Sequence, residues 1–169
     1  KSFDKQNILR SKIKIAYFSA DYSDNNPVAY LLTDLIKFHS REKFEVFGCS
    51  LRGVKDKDRT RIYYEKHFDH FLNFENLSNK EIRELCLSHK FDIVIDLNGY
   101  TKYSRPEIFS TKLAQIQVNF LGYPGTLGSK QYDYIIADKT VIPKVYQQYY
   151  TEKIAYLPNT YFVNQKKKK

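Results

Sequence analysis

Carboxylates, amides and hydroxyls gather at three points of this chain, each just after an apolar run. Asp21 follows KIKIAYFSA and precedes Asp24, Asn25 and Asn26. FDIVID ends on Asp96 and leads through Leu97 into Asn98-Gly99-Tyr100-Thr101, while IQVNFL leads into Gly122-Tyr123-Pro124-Gly125-Thr126. Side chains of these types can hold the hydroxyls of a sugar or the oxygens of a phosphate. Glycine beside them lets backbone amides come close to a ligand. The run from Asp21 to Asn26 reads two ways with equal weight: as a cluster capping the helix that follows, or as the polar wall of a sugar or phosphate site.

Other chemistry is poorly supported. His67 and His70 stand three apart, but helix gives way to strand between them and no acid or thiol completes a metal set. His39 and His89 fall near helix ends, where an imidazole is expected to cap carbonyls. Cys49 and Cys86 make neither a disulfide framework nor a metal site, and sit in apolar patterns as free buried thiols. The sequence carries no G-x-S-x-G elbow, no P-loop and no G-x-G-x-x-G fingerprint. Asp138 is a further carboxylate placed at a strand end.

The elements that must position these groups alternate. Strand-like runs cover 12–18, 44–51, 69–74, 91–97, 116–121, 134–137 and 154–157. Helical patterns cover 27–38, with Pro27 in the first turn, then 56–66 and 78–89, where Ser78 and Glu81 are spaced as a capping box. A short helix is expected over 105–111. The near-continuous apolar run at 91–97 suits a parallel strand covered on both faces. This pattern predicts an α/β fold, a Rossmann-like parallel sheet flanked by helices. In such sheets ligands bind beyond the carboxyl ends of the strands, at the switch point. The loops 21–26, 98–101 and 121–126 are therefore expected to share one rim, with Asn98, Gly99, Tyr100 and Thr101 on it.

At 169 residues the chain is one domain by length. The net charge is +9, and the four terminal lysines supply almost half of it. The rest is a modestly basic, Lys-rich surface. Its aromatics fall within strands and helices, without a nucleic-acid recognition motif, so no nucleic-acid partner is expected. No apolar run approaches the ~20 residues that span a bilayer, so no membrane span is expected.

Several blocks occur together and in order: SADY at 19–22, PVAYLL at 27–32, KFEVF at 43–47, NGYT at 98–101, QIQ at 115–117, LGYPGT at 121–126, DYIIAD at 133–138 and EKIAYLP at 152–158. From Lys12 onward the sequence resembles glycosyltransferase family 41, the O-linked N-acetylglucosamine transferases, in its bacterial SPINDLY-like branch. The resemblance implies the amino-terminal half of a GT-B enzyme. Such enzymes often follow tetratricopeptide repeats and move N-acetylglucosamine from UDP-GlcNAc to Ser or Thr of a protein acceptor, with no metal or cofactor. On this reading 1–11 is a leader, 12–163 the amino-terminal catalytic lobe and 164–169 a basic tail. The nucleotide sugar is shared with a carboxyl-terminal lobe that this chain lacks, so the chain alone is expected to be inactive. A cytoplasmic location is expected.

Residue by residue, Asp21 matches the Asp implicated in catalysis. Leu121 and Gly122 match donor-binding positions, and Thr126 falls in the same loop. The family's His before Pro is here Asn26, in a loop one residue longer. An amide can keep a hydrogen bond but cannot exchange a proton near neutral pH as imidazole does. Three readings follow: a glycosyltransferase lobe, a non-catalytic glycosyltransferase-like binding module, and, last, a basic nucleic-acid-binding domain.

Overall fold

The computed structural model describes residues 12–54 and 57–163. The expected leader and basic tail lie outside the described residues, as does the expected helix start at Asp56. Seven parallel strands form one sheet: β1 (Ile13–Ser19), β2 (Phe44–Ser50), β3 (His70–Asn73), β4 (Ile93–Asp96), β5 (Ile116–Phe120), β6 (Tyr134–Ala137) and β7 (Lys153–Tyr156). Their order is β3-β2-β1-β4-β5-β6-β7. The chain steps outward from β1 to β3, then returns to lay β4 against the other side of β1. That reversal makes the β1–β4 seam the switch point of the sheet.

Both faces of the sheet are covered, which is why the strands read as apolar runs. Along β1, Ala16 and Phe18 enter one core, with Ile82 and Cys86 of α3 (Asn79–His89). Ile15 and Tyr17 enter the other, with Ala29, Leu32 and Ile36 of α1 (Pro27–Lys37) and Tyr64 of α2 (Arg59–His67). The period-two alternation of a strand feeds the two layers.

The helix starts follow from local chemistry. Asn26 caps α1, its Oδ1 accepting from Val28 N at 2.9 Å, and Pro27 takes the first helical position. Ser78 and Glu81 form the expected capping box on α3. The helix ends differ from expectation. His39 does not cap α1; its Nε2 meets the Tyr17 hydroxyl at 3.1 Å. Arg41 is the residue that donates to the carbonyls of Ile36 and His39, both at 3.1 Å, because its longer fork reaches back to them. The His89 ring lies stacked on Phe91, centroids 5.3 Å apart.

Beyond β4 no α-helix occurs among the described residues. The chain passes from β4 to β5 through a 3₁₀ turn at Pro106–Ser110, and from β6 to β7 through another at Lys144–Tyr149. The first replaces the short helix expected over 105–111; the second has no counterpart in the sequence pattern.

Candidate active site

Strands β1, β4 and β5 are neighbours and run the same way, so the loops leaving them meet at one edge. The meeting is by direct contact. Asn98, after β4, donates from Nδ2 to Asp21 Oδ2 at 2.6 Å and to Thr101 Oγ1 at 3.0 Å. Its Oδ1 accepts from the backbone of Ala20 at 2.7 Å. On the other side of β4, Gly122 lies so close to Leu97 that a Cβ there would fall 2.1 Å from the Leu97 carbonyl oxygen.

Asp21 is buried, and burial raises its pKa. The Asn98 hydrogen bond, the positive charge of Arg52 and a contribution from the Asn26 side chain oppose that rise without cancelling it. No backbone amide among the described residues bonds its carboxylate. The two readings of the 21–26 run thus divide between its members. Asn26 is the cap of α1. Asp24 reaches the start of α2, where its Oδ1 accepts from Thr60 N at 3.0 Å and Thr60 Oγ1 at 2.7 Å. Only Asp21 keeps a carboxylate at the switch point.

The other two strand-end carboxylates are committed elsewhere. Asp96 is buried beneath the β4 loop. It accepts from Asn98 N at 2.9 Å, Gly99 N at 3.1 Å and the Tyr132 hydroxyl at 2.6 Å. Asp138 accepts from Thr140 N, Val141 N and Tyr161 N, and these amides hold its pKa below the ordinary value.

The rim differs in detail from the sequence expectation. Asn98 and Gly99 lie beneath it, buried: the Asn98 side chain joins β4 to β1, and the Gly99 amide is taken by Asp96; Tyr100 and Thr101 reach the surface. The glycines there accommodate protein rather than leaving a bare loop. A Cβ at Gly99 would meet Tyr123 Cβ at 2.8 Å, and one at Gly125 would meet the Tyr123 ring at 2.7 Å. Leu121 is buried at φ +76°, and the amide of Gly122 donates back to Phe120 O at 3.0 Å. That is the rarer, positive-φ γ-turn, a strained conformation for a branched residue. The Gly122 amide, expected to face a ligand, is committed to this turn.

Thr126 donates its hydroxyl to Glu152 Oε2 at 2.7 Å, and Leu127 N donates to Glu152 Oε1 at 2.7 Å. From beneath, Asn119 Nδ2 holds the carbonyls of Tyr123 at 2.9 Å and Gly125 at 3.2 Å. Sequence reasoning missed both Glu152 and Asn119. A buried amide inside the apolar run IQVNF was a usable signal for Asn119; nothing local marks Glu152. Beside the Asp21 loop lies an open pocket of about 730 Å³, walled by Ser23, Asn25, Arg52, Lys57 and Tyr103. Arg52 lies over the exposed Tyr103 ring at 4.4 Å, joining the loops after β2 and β4. Among the described residues no group of three His, Cys, Asp or Glu is placed to hold a metal. Nor is any helix among them long and apolar enough to cross a membrane.

A doubly wound parallel sheet with a carboxylate at its switch point defines a Rossmann-like fold. Comparison with known proteins makes this specific. Residues 2–169 match glycosyl transferase family 41, and the chain belongs to that family. It is 38% identical over 158 residues to an Arabidopsis thaliana protein named probable UDP-N-acetylglucosamine–peptide N-acetylglucosaminyltransferase SEC, spanning 94% of this chain and 16% of that one. A Caenorhabditis elegans UDP-N-acetylglucosamine–peptide N-acetylglucosaminyltransferase is 36% identical over 153 residues, 90% of this chain and 13% of that protein. A Solanum lycopersicum protein named probable UDP-N-acetylglucosamine–peptide N-acetylglucosaminyltransferase SPINDLY is 24% identical over 162 residues, 95% of this chain and 17% of that protein. Among solved structures, a Thermobaculum terrenum O-GlcNAc transferase mutant superposes with a TM-score of 0.83 at 27% identity, over 89% of this chain and 28% of that one. The chain thus spans only 13% to 17% of the length of these curated relatives.

Proposed function

We propose that this chain is the acceptor-side lobe of a protein O-glycosyltransferase that transfers N-acetylglucosamine from UDP-GlcNAc to Ser or Thr hydroxyls. The observation that carries the reading is the Asp21 carboxylate, held at the switch point by a side-chain amide from the neighbouring strand, in a chain whose relatives are named as peptide N-acetylglucosaminyltransferases. Asp21 orients or polarises the groups at the reacting centre. The Leu121–Gly122 turn and the loop to Thr126 border the donor sugar and its diphosphate. A second lobe supplies the uridine contacts, and the reaction needs no metal. The acceptor protein and the nucleotide sugar meet in the cytoplasm on this reading.

Asn26 bears on a second reading, a glycosyltransferase-like module that binds without catalysis. Its Oδ1 is occupied by the α1 cap, and its amide has no proton to exchange near neutral pH. The two readings separate in one experiment. Donor binding is measured by calorimetry, and sugar transfer to a peptide by radiolabel, for this chain alone and for the full-length parent. Half of a two-lobed site supplies half of the contacts, and each ~1.4 kcal/mol lost costs tenfold in affinity. The chain alone should therefore bind UDP-GlcNAc weakly and transfer nothing, while the parent transfers. Low-micromolar binding by the chain alone would contradict the shared site. A parent that binds donor without transferring it would favour the binding module.

A further inference from the structure

The three protein contacts of the Asn98 side chain fix its amide without ambiguity. The backbone N–H of Ala20 can only donate, so the atom facing it at 2.7 Å is the amide oxygen. The nitrogen then faces Asp21 Oδ2 at 2.6 Å and Thr101 Oγ1 at 3.0 Å. Neither atom is open to solvent, for Asn98 is wholly buried. Its own backbone is fixed in turn. Asp96 Oδ1 takes the amides of Asn98 and Gly99, and the Tyr132 hydroxyl holds the other oxygen of Asp96.

We infer that Asn98 is a positioning residue for Asp21: its amide ties the end of β1 to the end of β4 and grips the carboxylate, so that the β4 loop sets where the carboxylate points. The inference rests on the reading of Asp21 given above. The position requires an acceptor and a donor on one rigid group. A carboxylate at 98 could accept from Ala20 but would set a like charge against Asp21. A leucine would leave a buried amide of Ala20 and the carboxylate unpaired. The remaining groups that bear on Asp21 are few. Ser19 Oγ accepts from the Asp21 backbone at 2.9 Å, Arg52 after β2 brings a positive charge, and Asn26 at the start of α1 adds a weaker hydrogen bond. Asp96, two residues before Asn98, turns its oxygens to the β4 loop and Tyr132. Of the groups that favour ionised Asp21 against its burial, Asn98 contributes most. The clamp therefore both aims the carboxylate and favours its anionic form.

The test follows the Asp21 carboxyl carbon and the Asn98 side-chain amide by NMR while the labelled 169-residue chain is titrated with acid. In the wild type the Asn98 amide resonances should move with the Asp21 midpoint. In Asn98→Ser, which keeps an acceptor near Ala20 but cannot reach the carboxylate, that midpoint should rise by about one pH unit or more, as expected for losing a hydrogen bond to a charged group. Thr101→Val removes the neighbouring partner and should leave the midpoint in place. In the full-length parent the acid limb of the rate profile should rise with Asn98→Ser by the same interval. Asn98 resonances that ignore the Asp21 titration would overturn the inference, with no variant required; so would an unmoved midpoint in a folded Asn98→Ser chain. If the midpoint moves while Asp21→Asn still transfers sugar normally, the clamp stands and the catalytic reading of Asp21 falls.

Discussion

The loops that leave β1 and β5 border the same edge of the sheet, yet their polar groups are used in opposite ways. After β5, the polar groups shape the loop itself: the Gly122 amide closes a γ-turn, Thr126 and the Leu127 amide converge on Glu152, and Asn119 gathers two carbonyls. After β1, the Asp21 carboxylate serves no backbone amide of its own loop. It is held by a side chain from another strand, and burial keeps its proton affinity above the ordinary value. Asp138, at the end of β6, resembles the β5 loop in this respect, with three backbone amides and a lowered pKa. A carboxylate that accepts from backbone amides, as Glu152 and Asp138 do, shapes a loop; one that no backbone amide among the described residues bonds, as at Asp21, is available for chemistry.

Substitutions can break that contrast. The largest stability effect is expected from Gly122→Ala, because the added Cβ would collide with the rigid Leu97 carbonyl rather than a movable side chain. Overpacking of this kind should cost about 3 kcal/mol or more, measured by urea denaturation. Glu152→Leu comes next, because leaving the buried Leu127 amide without its acceptor should cost about 2 kcal/mol.

Asp21→Asn should behave differently, since the new side chain can still accept from Asn98 and carries no charge to bury. A carboxylate whose folded pKa lies above its unfolded value loses stability as pH rises between the two. The stability advantage of the Asp21→Asn variant over wild type should therefore grow as pH rises through the Asp21 midpoint and then level off. An advantage that shrinks with rising pH would show a carboxylate stabilised by its surroundings, like Asp138. The smallest effect is expected from Asn26→Ala, about 1 kcal/mol for a lost helix cap. A much larger loss would mean that Asn26 supports Asp21 as well as α1.

Much of the fold was legible because its signals are local. The β-rich apolar runs, Pro27 at a helix start and the Ser78–Glu81 pair each declare their structure within a few residues. The convergence of three loops followed from parallel strands alone. What could not be read was the purpose of the rim glycines. Gly122 answers to a carbonyl 25 residues earlier, and Gly99 to a tyrosine 24 residues later. Glu152 was hidden for the same reason, its partners lying 25 and 26 residues upstream in a different loop. The split of the 21–26 run was also tertiary: Asp24 serves α2 because Thr60 comes to it, which no local spacing reveals.

The most direct test of the role given to Asp21 is sugar transfer by the full-length parent, comparing wild type, Asp21→Asn and Asp138→Asn at fixed UDP-GlcNAc with a peptide acceptor. Asp21→Asn is predicted to lower the rate by about 10²-fold or more, as for loss of a group acting at the reacting centre, in a protein whose stability is undiminished. Asp138→Asn should lower stability and leave the rate per folded molecule near wild type. Normal transfer by the Asp21→Asn protein, or an equal loss in both variants, would contradict that role.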